Sequence, residues 1–360
     1  MKARLRVALT LASLLAGMLA AGPAWAARSA PDKDVTVTGP AWPSPPQPAR
    51  IRFSATVGVA TDWGLARSWW GRVMDTLTGR HEEHFVRPTG VAEKDGVLYV
   101  ADPGAQALVV FDKLRHTELR VRRVGEVTLL SPVAVVPGAD GTVYVADSRL
   151  QQVLQLEQDG TLRRTIAGPE LQRPSSLAFD PGTHRLYVGD SRAHVVHVFD
   201  EQGTRIGSIG TLGAGPGEFN SPTHLALMHD GSLVVTDALN FRVQVFDAQG
   251  HYLYRLGELG DGAGNFSAPK GVAADRAGHI YAADAMFDAV QVFDKEGRLL
   301  LGFGEQGTQP GQFWLPNGLY VNATDQLFVA DAYNRRIQVF QILAPVAAAS
   351  VGQSAQGEGR

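Results

Sequence analysis

Ser221 to Gly250 reads S-P-T-H-L-A-L-M-H-D-G-S-L-V-V-T-D-A-L-N-F-R-V-Q-V-F-D-A-Q-G, and the chain repeats variants of this stretch about six times. Pro222 opens a short apolar strand, and Asp230-Gly231 turns the chain, because glycine accepts the positive φ that a two-residue hairpin needs. A second strand ends at Asp237, a third ends at Phe246, and Asp247 to Gly250 leads into a fourth. One such unit exposes an apolar face on each side and cannot bury both alone, so its neighbours must stack on it.

Working outward, six prolines, Pro88, Pro132, Pro174, Pro222, Pro269 and Pro316, lie 44, 42, 48, 47 and 47 residues apart. After each comes a turn: Asp95-Gly96, Asp140-Gly141, Pro181-Gly182, Asp230-Gly231, Ala277-Gly278 and, without glycine, Thr324-Asp325. The second strand then ends in aspartate every time, at Asp102, Asp147, Asp190, Asp237, Asp284 and Asp331. Four short antiparallel strands in about 45 residues, six times over, predict an all-β, six-bladed β-propeller. The sixth unit stops after its third strand at Phe340, whereas Ile51 to Val57 alternates apolar and polar residues as an unattached strand ahead of the first unit. The N-terminal strand is therefore expected to complete the last blade and close the ring, which removes two exposed sheet edges. The propeller spans 51–343, with the repeats at 86–341.

The rest of the chain is read as accessory. The 360 residues hold 40 glycines, 20 prolines and only 19% charged residues, which favours short strands and tight turns over long helices. Lys2, Arg4 and Arg6, an uncharged run from Val7 to Ala21 and then Ala24-Trp25-Ala26 give residues 1–26 the form of a cleaved export signal, and the run of about 15 residues is short for a membrane span. Cleavage would change the net charge from −3 to −3 − 3 = −6. A periplasmic or secreted protein with no span is the expectation, and an acidic one is a poor nucleic-acid ligand. With no cysteine, disulfides, thiolate metal sites and thiol nucleophiles are excluded. Six prolines in 27–50 predict an extended linker, and 344–360 a flexible tail. Leu65, Trp69, Val73 and Leu77 recur at helical spacing, so 62–78 is expected to be a short inserted amphipathic helix whose Trp63, Trp69 and Trp70 form an interface.

Pro316-Asn317-Gly318 followed by Asp331, Asn334, Arg336, Ile337 and Phe340 resembles the NHL repeat, as does Asp237 through Asn240 and Arg242. The resemblance covers about residues 51 to 341, and the chain is most similar to exported bacterial NHL propellers of unassigned activity. Leu150, Ala193, Ala105 and Phe287 replace the family's asparagine in four units. Family members bind RNA or proteins, sense signals outside the cell, or act as a peptidyl-hydroxyglycine lyase, so fold alone implies no single function.

Residues just after each proline and each repeated aspartate should converge on one face of the propeller, here called upper. The candidate binding residues there are Arg149, Arg192, His224, Lys270, Met286, Phe287, Asn317, Tyr333 and Arg335, a mixture of arginine, aromatic and methionine that suits a protein interface. The reading is an exported scaffold without catalysis that engages an envelope protein or peptide. The alternatives are a metal-dependent lyase or lactonase-like hydrolase at the channel mouth through His224, and a small-ligand sensor. No cofactor is expected; zinc or calcium would accompany the enzyme reading. A single axial histidine falls short of the histidine set such a zinc site uses, and His81-Glu82-Glu83-His84 lacks the order of a helical zinc motif. Each repeated aspartate is expected to cap the turn that follows it.

Overall fold

Each repeat folds as its turn chemistry dictates. Asp95 and Gly96 both take positive φ (52° and 80°), making a two-residue loop between the paired residues Lys94 and Val97. The computed structural model describes residues 39–65 and 82–343. Blade 1 consists of Gly90–Lys94, Val97–Asp102, Ala107–Asp112 and Thr117–Val121; blade 2 begins with the strand Pro132–Pro137, blade 3 with Pro174–Asp180, blade 4 with Pro222–Leu227 and blade 5 with Pro269–Ala274. Each is a four-stranded antiparallel meander in sequence order, and the six first strands ring the central channel.

Blade 6 joins the two ends of the ring. Its strands Pro316–Val321, Gln326–Asp331 and Arg336–Ile342 are followed in the sheet by Ile51–Val57, paired antiparallel so that Ile51 faces Ile342 and Val57 faces Ile337. The ring closure expected from the strand count is thus in place. The seam to blade 1 is stitched by Gly318 N–H donating to the Thr89 carbonyl (2.9 Å) and Asn322 Nδ2 donating to Glu93 Oε2 (2.5 Å).

One expectation fails here. Residues 39–50 are not a free linker: Ala41–Trp42 pairs with Ile51 and Arg52 as a fifth strand of blade 6. The Trp42 ring packs 5.3 Å from that of Phe303 and 6.0 Å from that of Phe340, and burying an indole outweighs the poor strand propensity of the prolines around it. Of the helix expected at 62–78 only 62–65 are among the described residues, and there the chain makes a single 3-10 turn, Ala60–Trp63, which Gly64 ends with φ of 88°. No helix of seven or more residues occurs among the described residues, and none is long and apolar enough to cross a membrane. Residues 66–81, with Trp69, Trp70 and His81, lie outside the described residues, as do 1–38 and 344–360.

The core consists of layers between blades, four of them anchored by a buried phenylalanine (Phe85, Phe219, Phe266 and Phe313, at most 1% exposed) and the other two by Leu129 and Leu171 at the same position. A glycine recurs nine residues before three of these, at Gly210, Gly257 and Gly304, because the phenylalanine ring packs against it. A Cβ on Gly257 would sit 2.7 Å from the Gly264 carbonyl oxygen, and its φ of 67° already disfavours a side chain. Near the axis, the glycine two residues after the proline makes room for the next blade's backbone: a Cβ on Gly90 would come within 2.8 Å of the Val133 carbonyl.

Candidate functional site

The six repeated aspartates are fully buried and hold the upper loops in place. Asp147 accepts N–H bonds from Leu130 and Ser131, in the connection entering its blade, and from Arg149 and Leu150, in the turn leaving its strand. Asp190 does the same with Gln172, Arg173, Arg192 and Ala193. The expected turn caps are there, and each carboxylate also ties down the entering connection. Blades 4 and 6 add a side-chain network: Asp237 Oδ2 accepts from Asn240 (2.8 Å), Arg242 (2.9 Å) and Gln244 (3.2 Å), and Asp331 Oδ2 from Asn334, Arg336 and Gln338. The asparagine and arginine of the repeat are therefore structural.

On this frame the residue two beyond each aspartate is displayed outward. Around the ring it is Gly104, Arg149, Arg192, Leu239, Met286 and Tyr333. Leu239, Met286 and Tyr333 are 58%, 67% and 50% exposed, and Trp314 stacks on Tyr333 with ring centroids 5.5 Å apart. Arg149 and Arg192 meet in one depression of about 560 Å³, together with Arg173, His194, Ser148 and Ser191, and Leu239 forms its edge. Arg335 is exposed at a left-handed position (φ 55°), whereas Phe287 is half-buried and joins neither group.

His224, Lys270 and Asn317 converge on the neck of the channel instead of the open face. His224 occupies the repeat position held elsewhere by Gly90, Ala134, Ser176, Gly271 and Gly318, so the one large side chain there projects into the neck. Its Nε2 lies 3.0 Å from Asn317 Oδ1, which links blades 4 and 6 past blade 5. With Asn317 as acceptor the ring carries its proton on Nε2, leaving Nδ1 buried and unpartnered. Burial, and then the Lys270 ammonium, outweigh the Asn317 bond and push the His224 pKa down to about 3. At neutral pH this imidazole is uncharged and a weak base.

Below the neck opens a cavity of about 660 Å³ that the sequence reading missed. Its walls are the far halves of all six first strands, among them Val91, Val135, Leu177, Leu225, Val272 and Leu319. Glu93, Lys94, Asn322 and Tyr320 supply polar atoms; Glu93 also accepts the Gly96 N–H (2.7 Å), and Lys94 Nζ donates to the Gly138 carbonyl (3.2 Å). Tyr320 is pushed up to about 12 by burial and by the carboxylates of Glu93 and Asp95. These positions carried no motif, since alternating apolar residues look alike whether they face a neighbour or a cavity.

Trp63, expected at an interface, is 8% exposed. Its Nε1 donates to the Gly96 carbonyl (3.1 Å), its ring lies 6.1 Å from that of Phe328, and Lys113 Nζ sits 4.4 Å over its centroid. These three contacts make it a fastener between blades 6 and 1. His194 and His197 do not form a pair: His194, just ahead of the strand Val195–Phe199, accepts from Ser221 N–H, and His197 is buried within blade 3. Among the described residues no three of His, Asp, Glu or Cys are grouped to hold a metal.

Comparison with known proteins agrees with the architecture. Residues 313–340 match the NHL repeat, and residues 170–227 and 224–291 match a family described as a 6-bladed β-propeller. The chain is thus a six-bladed β-propeller built from NHL-type repeats. Solved structures similar to it include virginiamycin B lyase from Staphylococcus aureus (11% identity, TM-score 0.55, 72% of this chain and 96% of that one). A protein of unknown function from Bacteroides thetaiotaomicron (15%, 0.57, 71% and 70%) and a chain of the nidogen/laminin complex (17%, 0.52, 69% and 89%) are also similar. At such identities the likeness is one of fold. No curated protein matches by sequence.

Proposed function

We propose that the chain is an exported binding protein that engages a protein or peptide of the cell envelope through its upper face. The observation that carries this reading is the set of positions two residues beyond the buried aspartates. Turns held alike by a buried aspartate display arginine over blades 2 and 3 and exposed Leu239, Met286 and Tyr333 over blades 4 to 6. Large apolar and aromatic side chains held out to solvent on rigid loops cost solubility, and a partner that covers them recovers that free energy. Export rests on the basic and apolar pattern of residues 1–26, and the periplasm is the proposed compartment.

The test is affinity capture from an envelope extract, followed by calorimetry of the captured protein, purified, against wild type and the Leu239→Ser/Met286→Ser/Tyr333→Ser variant. Loss of binding in the variant is expected; a partner bound equally by both removes the reading. The lower cavity favours a second reading, a small-ligand sensor, because its size and mainly apolar lining are those of a small-molecule site. The lyase reading draws on the neighbour that is an enzyme. Stoichiometric zinc or calcium in protein purified without chelator, with turnover lost in His224→Ala, would replace the binding reading with it.

A further inference from the structure

The depression between blades 2 and 3 is lined mainly by arginine and uncharged polar side chains. Asp147-Ser148-Arg149 and Asp190-Ser191-Arg192 place a Ser-Arg pair at the same turn of two adjacent blades, and no other blade repeats it. Arg173, from the connection entering blade 3, joins them. Their possible internal partners are already engaged: Asp147 and Asp190 are fully buried, with their oxygens turned to backbone N–H groups. Among the described residues no carboxylate pairs with Arg149, Arg173 or Arg192, in contrast to Arg120, Arg242, Arg298 and Arg336.

His194 completes the set. The Ser221 N–H donates to His194 Nδ1 (3.0 Å), so the neutral ring must carry its proton on Nε2 and is a donor on its free side. Three guanidinium groups and an imidazole N–H thus line about 560 Å³ with donors, beside the Ser148 and Ser191 hydroxyls, which already donate to Ser131 Oγ and the Arg173 carbonyl, in a chain whose net charge is −3. Leu239, 58% exposed at the edge of the same depression, begins the apolar sector.

We propose that this depression is an anion site that takes the carboxylates of an acidic peptide segment whose neighbouring apolar residues lie on Leu239 and the sector beyond it. The proposal rests on the upper face being the binding face. Arginine suits it because the planar fork meets a carboxylate with two parallel hydrogen bonds, and the adjoining leucine selects an acidic residue beside an apolar one over a bare anion.

The probe is a synthetic peptide alternating Glu with Leu, compared with the same peptide carrying Gln for Glu, by calorimetry on the mature chain at low and physiological salt. The Glu peptide is expected to bind at least about tenfold more tightly than the Gln peptide, and to weaken as salt screens the contact. Arg149→Ala/Arg173→Ala/Arg192→Ala should remove that preference with an unchanged melting temperature. Equal binding of the two peptides, or a triple variant that still prefers Glu, overturns the proposal. If the triple variant retains the preference while Leu239→Ser/Met286→Ser/Tyr333→Ser abolishes binding, the anion site falls and the upper-face reading stands. If neither variant alters binding, both fall.

Discussion

Blades 2 and 4 use arginine at the same turn in opposite ways. In blade 4, Arg242 folds beneath the loop, is 4% exposed, and bonds Asp237 and the carbonyls of Gly215 and Glu218. In blade 2 the aspartate is satisfied by backbone N–H groups alone, Gln152 stands where Arg242 does, and the arginine has moved to the tip as Arg149. Blade 6 repeats the first pattern with Arg336, and blade 3 the second with Arg192. The same residue type is architectural where it is desolvated and available to a ligand where it is not.

The sharpest way to break that comparison is Arg242→Ala. Burial already holds the Asp237 carboxyl above its ordinary range, against the bonds from Asn240, the Asn220 N–H and Arg242. Removing the guanidinium leaves a buried carboxylate unpaired, at a cost of about 3–5 kcal/mol in urea unfolding at neutral pH. Because a raised folded pKa favours the protonated form, the deficit should shrink as pH falls through it. An equal deficit at neutral and acid pH would show that Asp237 does not set the cost.

Trp63→Ala comes next. It deletes a buried indole, its bond to Gly96 and the packing on Phe328 at the seam, and should cost about 3 kcal/mol with a lower melting temperature. A variant that melts with wild type would return Trp63 to the surface role its sequence suggested.

A smaller effect is expected at the hairpin of blade 5. His279 is raised, first by its Nδ1 bond to Asp275 (2.7 Å), and Asp275 is lowered, His279 outweighing its burial. The His279 contribution is fully present below its unfolded pKa of about 6.5 and lost as pH rises through the folded value. The Asp275 contribution is present above its unfolded pKa and lost as pH falls. Melting temperatures from about pH 6 to 9 should therefore decline more in wild type than in His279→Gln; parallel profiles would refute the coupling.

The smallest effect completes the contrast. Arg149→Ala and Arg192→Ala should each change stability by less than about 0.5 kcal/mol. A loss comparable to that of Arg242→Ala would mean that the tip arginines are structural too.

Legibility follows the range of the forces involved. The aspartates, turns and strand ends were readable because hairpin φ values and hydrogen-bond ladders act over a few residues. Arg149 and Arg192 were readable as departures from the repeat, but Arg173 was not, because it enters from the connection of its own blade and meets them only in the depression. His224 carried a signal that was available, a large side chain at a position otherwise small, yet its place in the neck depends on Asn317, 93 residues away. Trp42 was hidden by its prolines, and the lower cavity by the sameness of the strands that line it.

The sequence by itself determined the number of blades, the order of strands in each, the strand that closes the ring and the buried aspartates, since a repeat that cannot cover its own apolar faces has one way to stack. Only the tertiary structure decided which outward residues share a surface. Closing six blades around an axis brings Arg149 to Arg192 and His224 to Asn317 across distances along the chain that no local pattern encodes. The same closure leaves, beneath the neck, a space whose walls were each written as an ordinary strand.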